Sequence, residues 1–512
     1  MSLRPAVMAV AVVGLLAAVL PACAKDDSSA KSNTTSTAPT RAVPKETVTV
    51  FRGGEDDTDT FRLPAVVTTT KGTLLAFAEA RTVSPLDHDP HGIVVRRSVD
   101  GGTKWGAITG VAPYDEATKC STSGASPVSV TRGEHAGDVV VVYLSCLEGV
   151  AMPGVVRSSD DGRTWSKPAT VEVATADGRV PTTRVVPGPG HAIELQHGSH
   201  AGRLVVAAWG ELAGVRSTYL LLSDDGGRSW RIGASAAQTG GDRNVDESIV
   251  TEAADGMLLL SSRNPADART QARSADGGET FTPGADGNVL EVQKDLVNPG
   301  VQGSLLTVGD HVIFSSPSDP TYRRGLRLWR SADLGATWQE GPLVVPGVAA
   351  YSDLVALDDD TIGVLVETGD RQPYERIDLV PVAMRRFDET PAPLPDGFDP
   401  ATAIAGRVVV DKARFAVRSL CMTTGGVAKV GLDGGDLEAN IAKGLSDVAV
   451  TGRLTYPGPG GKPLTLDGNV ALDLTAGISF RGTLNGSDGA THQVDFVAVN
   501  TIDSMLLPSA DC

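Results

Sequence analysis

The chain has 512 residues, too many for one ordinary hydrophobic core, so two or three domains are expected. Hydrophobic content of 41% beside 21% charged residues excludes a disordered or membrane-embedded protein, and 58 glycines with 31 prolines favour the many turns of β architecture. A net charge of −17 argues against nucleic acid and anionic membrane surfaces as partners, and leaves any attraction for an acidic ligand to a local cluster of arginines.

Residues 1–22 read as an export signal: Arg4 supplies the positive start, and the apolar run from Ala6 to Leu20 is too short to span a bilayer comfortably. The run ends in Leu20-Pro21-Ala22-Cys23, which resembles a bacterial lipobox, cut before Cys23 and lipidated on its thiol. An ordinary signal peptidase site after Ala22 or Ala24 is the alternative. Residues 23–45, rich in Ser and Thr and without apolar periodicity, are expected to form a disordered tether. The mature protein is thus expected in the bacterial cell envelope, outside the cytoplasm, lipid-tethered or else secreted. With Cys23 lipidated, Cys120, Cys146, Cys421 and Cys512 remain, and disulfides persist outside the cytoplasm. Neighbourhood in the chain favours Cys120 with Cys146 and Cys421 with Cys512, one of three possible connectivities.

Residues 46–387 carry an internal repeat. Ser98-Val99-Asp100-Gly101-Gly102-Thr103-Lys104-Trp105 returns at Ser158–Trp165, Ser223–Trp230, Ser274–Phe281 and Ser331–Trp338, with starts 60, 65, 51 and 57 residues apart. The Asp carboxylate can accept N–H groups of its own turn, Gly supplies a positive φ, and the terminal ring buries itself beneath the hairpin. Runs such as Asp138–Tyr143 and Gly202–Ala208 read as buried strands. A unit of about four short strands cannot bury both of its own faces and must stack radially on its neighbours, as in a β-propeller. The repeats are similar to the Asp-boxes of sialidases, a resemblance that implies six blades.

Residues 388–400 form a proline-rich linker. Residues 401–512 alternate in short segments, among them Val408–Val410, Asp447–Thr455, Val470–Leu474 and Gln493–Val499, and predict a small β-sandwich. No Trp follows Trp338 and aromatic residues are sparse, so a spacer fits better than a sugar-binding module. The expected fold is all-β throughout: a six-bladed β-propeller followed by this small C-terminal domain.

Asp-boxes say little about chemistry, since non-enzymatic propellers carry them too. Phe61-Arg62-Leu63-Pro64, followed by Gly72-Thr73-Leu74-Leu75-Ala76-Phe77-Ala78-Glu79-Ala80-Arg81, resembles the start of a bacterial exo-sialidase catalytic domain. Ala349-Ala350-Tyr351-Ser352-Asp353-Leu354 and Val364-Leu365-Val366-Glu367-Thr368-Gly369 are also similar to segments of that family. The resemblance implies a retaining glycosidase acting on terminal sialic acids of glycoconjugates, working as a monomer without metal or other cofactor.

It further implies residue roles. Arg62, Arg263 and Arg323 would grip the substrate carboxylate, because a guanidinium fork pairs with a carboxylate through two parallel hydrogen bonds. Arg324 is the neighbouring alternative to Arg323. Tyr351 would be the nucleophile: a carboxylate would be repelled by the substrate's own carboxylate, whereas a phenol stays neutral until activated. Glu247 would be its base, with Asp246 as runner-up. Asp87, with Asp89 behind it, would protonate the leaving oxygen. Glu367 would orient the first arginine, and Arg81 shares the pocket. The run Asp87-His88-Asp89-Pro90-His91 invites a metal reading, but a loop of this spacing lacks a fixed tetrahedral set. His191, His197 and His200 flank a strand-like run and are expected at the surface. Within the enzyme class, hydrolysis or transfer of a related nonulosonic acid is the alternative. Outside it, the rival is a non-catalytic Asp-box surface binding protein.

Overall fold

The computed structural model describes residues 43–500, apart from 88, 148–149, 176–177, 179–180, 266–267, 399–403, 412, 424, 442–445, 456–461 and 473–477. The export signal, most of the tether, Cys23 and Cys512 lie outside the described residues. Cys120 and Cys146 form a disulfide, and Cys421 also stands in one.

The first part of the described chain is a propeller-like arrangement of sheets of four, nine, four and seven strands, their strands antiparallel except where Pro181–Pro187 meets Val150–Ser158. One four-stranded sheet runs Thr60–Thr68, Leu74–Arg81, His91–Ser98 and Thr109–Ala112 in chain order, each strand pairing with the next. The other repeats the plan with Ser248–Glu252, Leu258–Asn264, Ala268–Ser274 and Glu291–Gln293. In the seven-stranded sheet, the 18-residue strand Gln339–Ala356 pairs with Arg324–Ser331 through its first half and with Thr361–Thr368 through its second. The N-terminal strand Val48–Arg52 adds to Arg376–Ala383 at the far edge of that sheet, so the first strand joins the last.

The sheets stack face to face because their strands are apolar on both sides. In Val139–Leu147, Val139 and Val141 enter one buried cluster while Val140 and Val142 enter another. A continuous valine run here is the period-two pattern of a strand whose two faces are both covered.

Each Asp-box is the turn that follows the third strand of its unit. In the first, Ser98 Oγ accepts from Gly102 N and donates to Asp100 Oδ1, both at 2.8 Å, and Asp100 Oδ1 also accepts from Lys104 N at 2.9 Å. The other four repeat the triangle around Asp160, Asp225, Asp276 and Asp333. Each carboxylate takes up turn amides that would otherwise lack partners.

The C-terminal region corrects one expectation. Eight strands from Ile404–Val410 to Thr491–Asn500 close into a barrel, because the first pairs with the last from Ile404↔Asn500 to Val410↔Val494. The strand Val448–Thr455 alternates buried and exposed at every residue, and the inward side chains form one core that includes Phe415, Phe480 and Phe496. One-face burial is common to sandwiches and barrels; only pairing between the terminal strands separates them, and that pairing spans the whole domain. The proline-rich stretch before the barrel lies against the propeller: Arg327 donates to the Ala392 carbonyl at 2.6 Å and Arg324 to the Pro395 carbonyl at 3.2 Å.

Candidate active site

Arg62 reaches its position through a bulge. The pairing of Thr60–Thr68 with Leu74–Arg81 slips between Arg62 and Ala65, Leu63 takes a φ of 54°, and Pro64 has no N–H to contribute to the ladder. Positive φ at a leucine costs about 1–2 kcal/mol. The compensation lies in Glu367, whose Oε1 accepts from Arg62 Nε at 2.7 Å and from Leu63 N at 2.8 Å.

Tyr351 is set by the same device. Pairing of Gln339–Ala356 with Thr361–Thr368 slips between Ala349 and Ser352, and Tyr351 N donates to Glu367 Oε2 at 3.2 Å. The Tyr351 hydroxyl donates to Glu247, 2.6 Å from Oε1 and 2.8 Å from Oε2. Arg263 Nη1 lies 3.0 Å from Glu247 Oε2 and 3.2 Å from the Tyr351 hydroxyl. Arg323 donates to the Tyr374 hydroxyl at 2.6 Å, and its guanidinium stands 5.6 Å from the centre of the Tyr351 ring. Arg62 stacks on the Tyr374 ring at 3.8 Å. Thus Arg62, Arg263 and Arg323 converge around one buried tyrosine, held by segments far apart in the chain.

Arg81 and Asp87 form the next part of the wall. Arg81 is buried; it donates to Glu79 through Nε at 3.0 Å and Nη2 at 2.5 Å, and through Nη1 to Asp87 at 2.7 Å and to the Pro85 carbonyl. Glu79 also accepts from Gly124 N at 3.1 Å, at another bulge, and from the Ser123 hydroxyl. The cleft enclosed by Arg81, Asp87, Ser123, Glu247, Arg263 and Tyr351 measures about 470 Å³, and its far side is formed by Leu144, Cys146, Arg184, Val186 and Trp209.

The charges are not at their ordinary values. Burial and then the charge of Glu247 push the Tyr351 phenol well above its usual pKa, although Arg263, Arg323 and Arg62 pull it down. Burial raises the Glu247 carboxyl, and nearby Asp246 adds to this against the pull of Arg263. In this geometry the phenol is the donor and the Glu247 carboxylate the acceptor. Desolvation would raise Asp87, but Arg81 and, more distantly, Arg62 and Arg323 hold it below the usual carboxylate range. Its side chain is 85% exposed, so solvent tempers both influences.

The neighbouring alternatives have other partners, although Asp246 also lines the cleft. Arg324 pairs with Asp319 at 2.8 Å, beside the Phe398 ring. Asp246 pairs with Arg216 at 2.7 Å. Asp89 accepts from the Ser84 hydroxyl, while Asp87 faces the cleft. His197 is exposed as expected. His191 is not: its side chain is only 9% exposed, and its Nδ1 meets Asp353 Oδ1 at 2.8 Å. Asp353 also takes N–H groups of Val66 and His191 and the Ser304 hydroxyl, so one buried carboxylate ties together distant sheets. Tyr374 and the Glu79–Ser123 link carry no signal in the sequence, since their partners lie outside any local motif.

Residues 72–364 match the model of the BNR repeat-like domain. The chain is 30% identical over 354 residues to a sialidase of Micromonospora viridifaciens, covering 64% of this chain and 52% of that one. It is 28% identical over 354 residues to a sialidase of Bacteroides fragilis, covering 63% and 62%. It thus spans between half and two thirds of the length of these relatives. Among solved structures, the Hadza microbial sialidase Hz136 shares the fold with a TM-score of 0.57 at 24% identity, over 67% of this chain and 69% of that one. An intramolecular trans-sialidase from Ruminococcus gnavus shares it with a TM-score of 0.52 at 17% identity, over 65% and 96%.

Proposed function

The chain belongs to the family of BNR repeat-like domains, and from the geometry of its site we propose that it is a retaining exo-α-sialidase that removes terminal sialic acids from glycoconjugates. The observation that carries the reading is the Tyr351 hydroxyl on Glu247 at 2.6 Å, beside Arg263 and beneath Arg62 and Arg323. A tyrosine paired with a buried base suits attack on an anomeric centre that bears its own carboxylate, because the attacking group carries no charge until its proton leaves.

In this reading the three guanidiniums hold the substrate carboxylate and orient the anomeric carbon toward Tyr351. Glu247 takes the phenolic proton as the Tyr351 oxygen attacks, and Asp87 gives a proton to the departing oxygen. A covalent glycosyl-enzyme results. Water, deprotonated by the now ionised Asp87, then attacks the anomeric carbon and breaks its bond to the Tyr351 oxygen, to which Glu247 returns the proton. Arg81 and Glu79 hold the Asp87 loop, and Glu367 holds Arg62.

The scaffold we assign is a six-bladed propeller. The division of Gln339–Ala356 between two partners supports counting the seven-stranded sheet as two blades. The nine-stranded sheet is joined at its middle by the single residue pair Arg184↔Ala151, which supports counting it as two as well. With the two four-stranded sheets the total is six.

The deciding assay incubates purified protein with a fluorogenic sialoside at mildly acidic pH. Release of the fluorophore is expected; no release there, nor from related nonulosonates, would overturn the hydrolase reading and leave a binding propeller.

A further inference from the structure

A second groove of about 400 Å³ lies where the propeller meets the C-terminal barrel, and its propeller wall includes Pro85 and Tyr374. Each of them contacts arginines of the candidate active site. Arg81 Nη1 bonds the Pro85 carbonyl and the Asp87 carboxylate at once, so the short segment from Pro85 to Asp87 has the groove on one side and the cleft on the other. Tyr374 presents its hydroxyl to Arg323 and its ring to Arg62 while also lining the groove.

The groove is cationic in a protein whose net charge is −17. Arg52, Arg371, Arg407 and Arg414 line it against Asp59 and Glu375. Arg407 and Arg414 both lean on Asp59, and Glu375 already accepts the backbone amides of Asp370, Arg371 and Gln372. Arg371 lies 4.0 Å from Glu375 with its side chain 42% exposed, and Arg414 is 62% exposed. Guanidiniums therefore outnumber carboxylates, on walls from both domains.

We propose that this groove receives the aglycone of the substrate, and that its guanidinium excess selects an aglycone bearing negative charge, a sulfate ester or a carboxylate. The inference rests on the sialidase reading: an acid that protonates the leaving oxygen stands on the aglycone side of the sugar, and Pro85, two residues before that acid, lines the groove. An oligosaccharide leaving past Asp87 meets Pro85, then the arginines. The barrel thereby gains a role as one wall of the aglycone site, without the aromatic platforms a separate sugar-binding module would need.

The test compares kcat/KM for 3′-sialyllactose and the same trisaccharide sulfated on its galactose, with a small fluorogenic sialoside as reference. The protein is expected to prefer the sulfated substrate, and raised ionic strength to shrink that preference. Arg371→Gln and Arg414→Gln, on opposite walls, should each reduce the preference by about two- to fivefold, the range of an exposed ion pair, and leave the fluorogenic substrate unchanged. Equal rates on both trisaccharides in the unmodified protein, or variants that slow all three substrates in proportion, would overturn the proposal. Failure to cleave the fluorogenic sialoside would instead overturn the sialidase reading, and the aglycone site would fall with it.

Discussion

Arg62 and Tyr351 sit at two separate β-bulges, and both meet the same carboxylate, Glu367. Oε1 takes Arg62 Nε together with the amide of Leu63, and Oε2 takes the amide of Tyr351. One buried acid thus fixes Arg62, the proposed carboxylate-gripping cation, relative to Tyr351, the proposed nucleophile. Glu367→Gln keeps the volume but can no longer offer two charged acceptors, and it leaves Arg62 buried without its counter-ion. A loss of about 3 kcal/mol in stability is expected, as for other buried pairs missing one partner. Misplacement of the site should lower kcat/KM by about 10²-fold. Chemical denaturation and steady-state kinetics on the same preparation check both; an unchanged kcat/KM would remove Glu367 from the positioning role.

The Tyr351 hydroxyl and Glu247 act as a unit in the proposed chemistry. Tyr351→Phe should lower turnover by more than about 10³-fold, the scale seen when one member of a nucleophile–base pair is removed. The ring and its packing remain, so the melting temperature should stay near that of the unmodified protein. Glu247→Gln should cost about 10²–10⁴-fold, the span of general base catalysis. Full activity of the phenylalanine variant would place the nucleophile elsewhere.

Asp87 must carry a proton to act as an acid, yet Arg81, Arg62 and Arg323 hold its carboxyl below the usual carboxylate range. The substrate carboxylate neutralises part of that positive field, which raises the Asp87 pKa in the complex. A higher pKa keeps the acid protonated to higher pH. The alkaline limb of kcat, which reports the complex, is therefore expected at higher pH than the limb of kcat/KM, which reports the free enzyme. Coincident limbs would contradict this coupling.

His191 and Asp353 set a pH dependence of stability. Burial lowers the His191 pKa, but the charge and hydrogen bond of Asp353 outweigh it and raise it above 6.5. The folded state then binds its proton more tightly than the unfolded chain, so the stabilisation is complete below the ordinary value and fades as pH rises through the raised one. His191→Gln should be less stable by about 2 kcal/mol in mild acid, the worth of a charged hydrogen bond. That difference should narrow toward alkaline pH. Melting curves across the range check the sign; a gap that does not change with pH would mean that His191 acts as a neutral ring.

Cys23 is the expected point of attachment to the membrane. Cys23→Ala should release the protein into the medium, followed by immunoblotting of membrane and supernatant fractions. Unchanged membrane retention would refute lipidation.

The Asp-box turns were legible in the sequence because every bond they need lies within six residues, as between Ser98, Asp100, Gly102 and Lys104. The motifs around Arg62, Glu247, Arg263, Tyr351 and Glu367 were legible through family resemblance, although the bond that unites Arg62 with Glu367 spans 305 residues. Tertiary structure decided what depends on such distant meetings. It turned Arg323 toward Tyr374 and Arg324 toward Asp319, a choice between adjacent residues that strand direction makes and composition does not. It drew His191 beneath Asp353, and it closed the C-terminal strands into a barrel through the pairing of residues 404–410 with 494–500. Local turn chemistry is set by neighbours in the chain, whereas the partner of a buried charge or of an edge strand is whichever group the folded sheets bring to it.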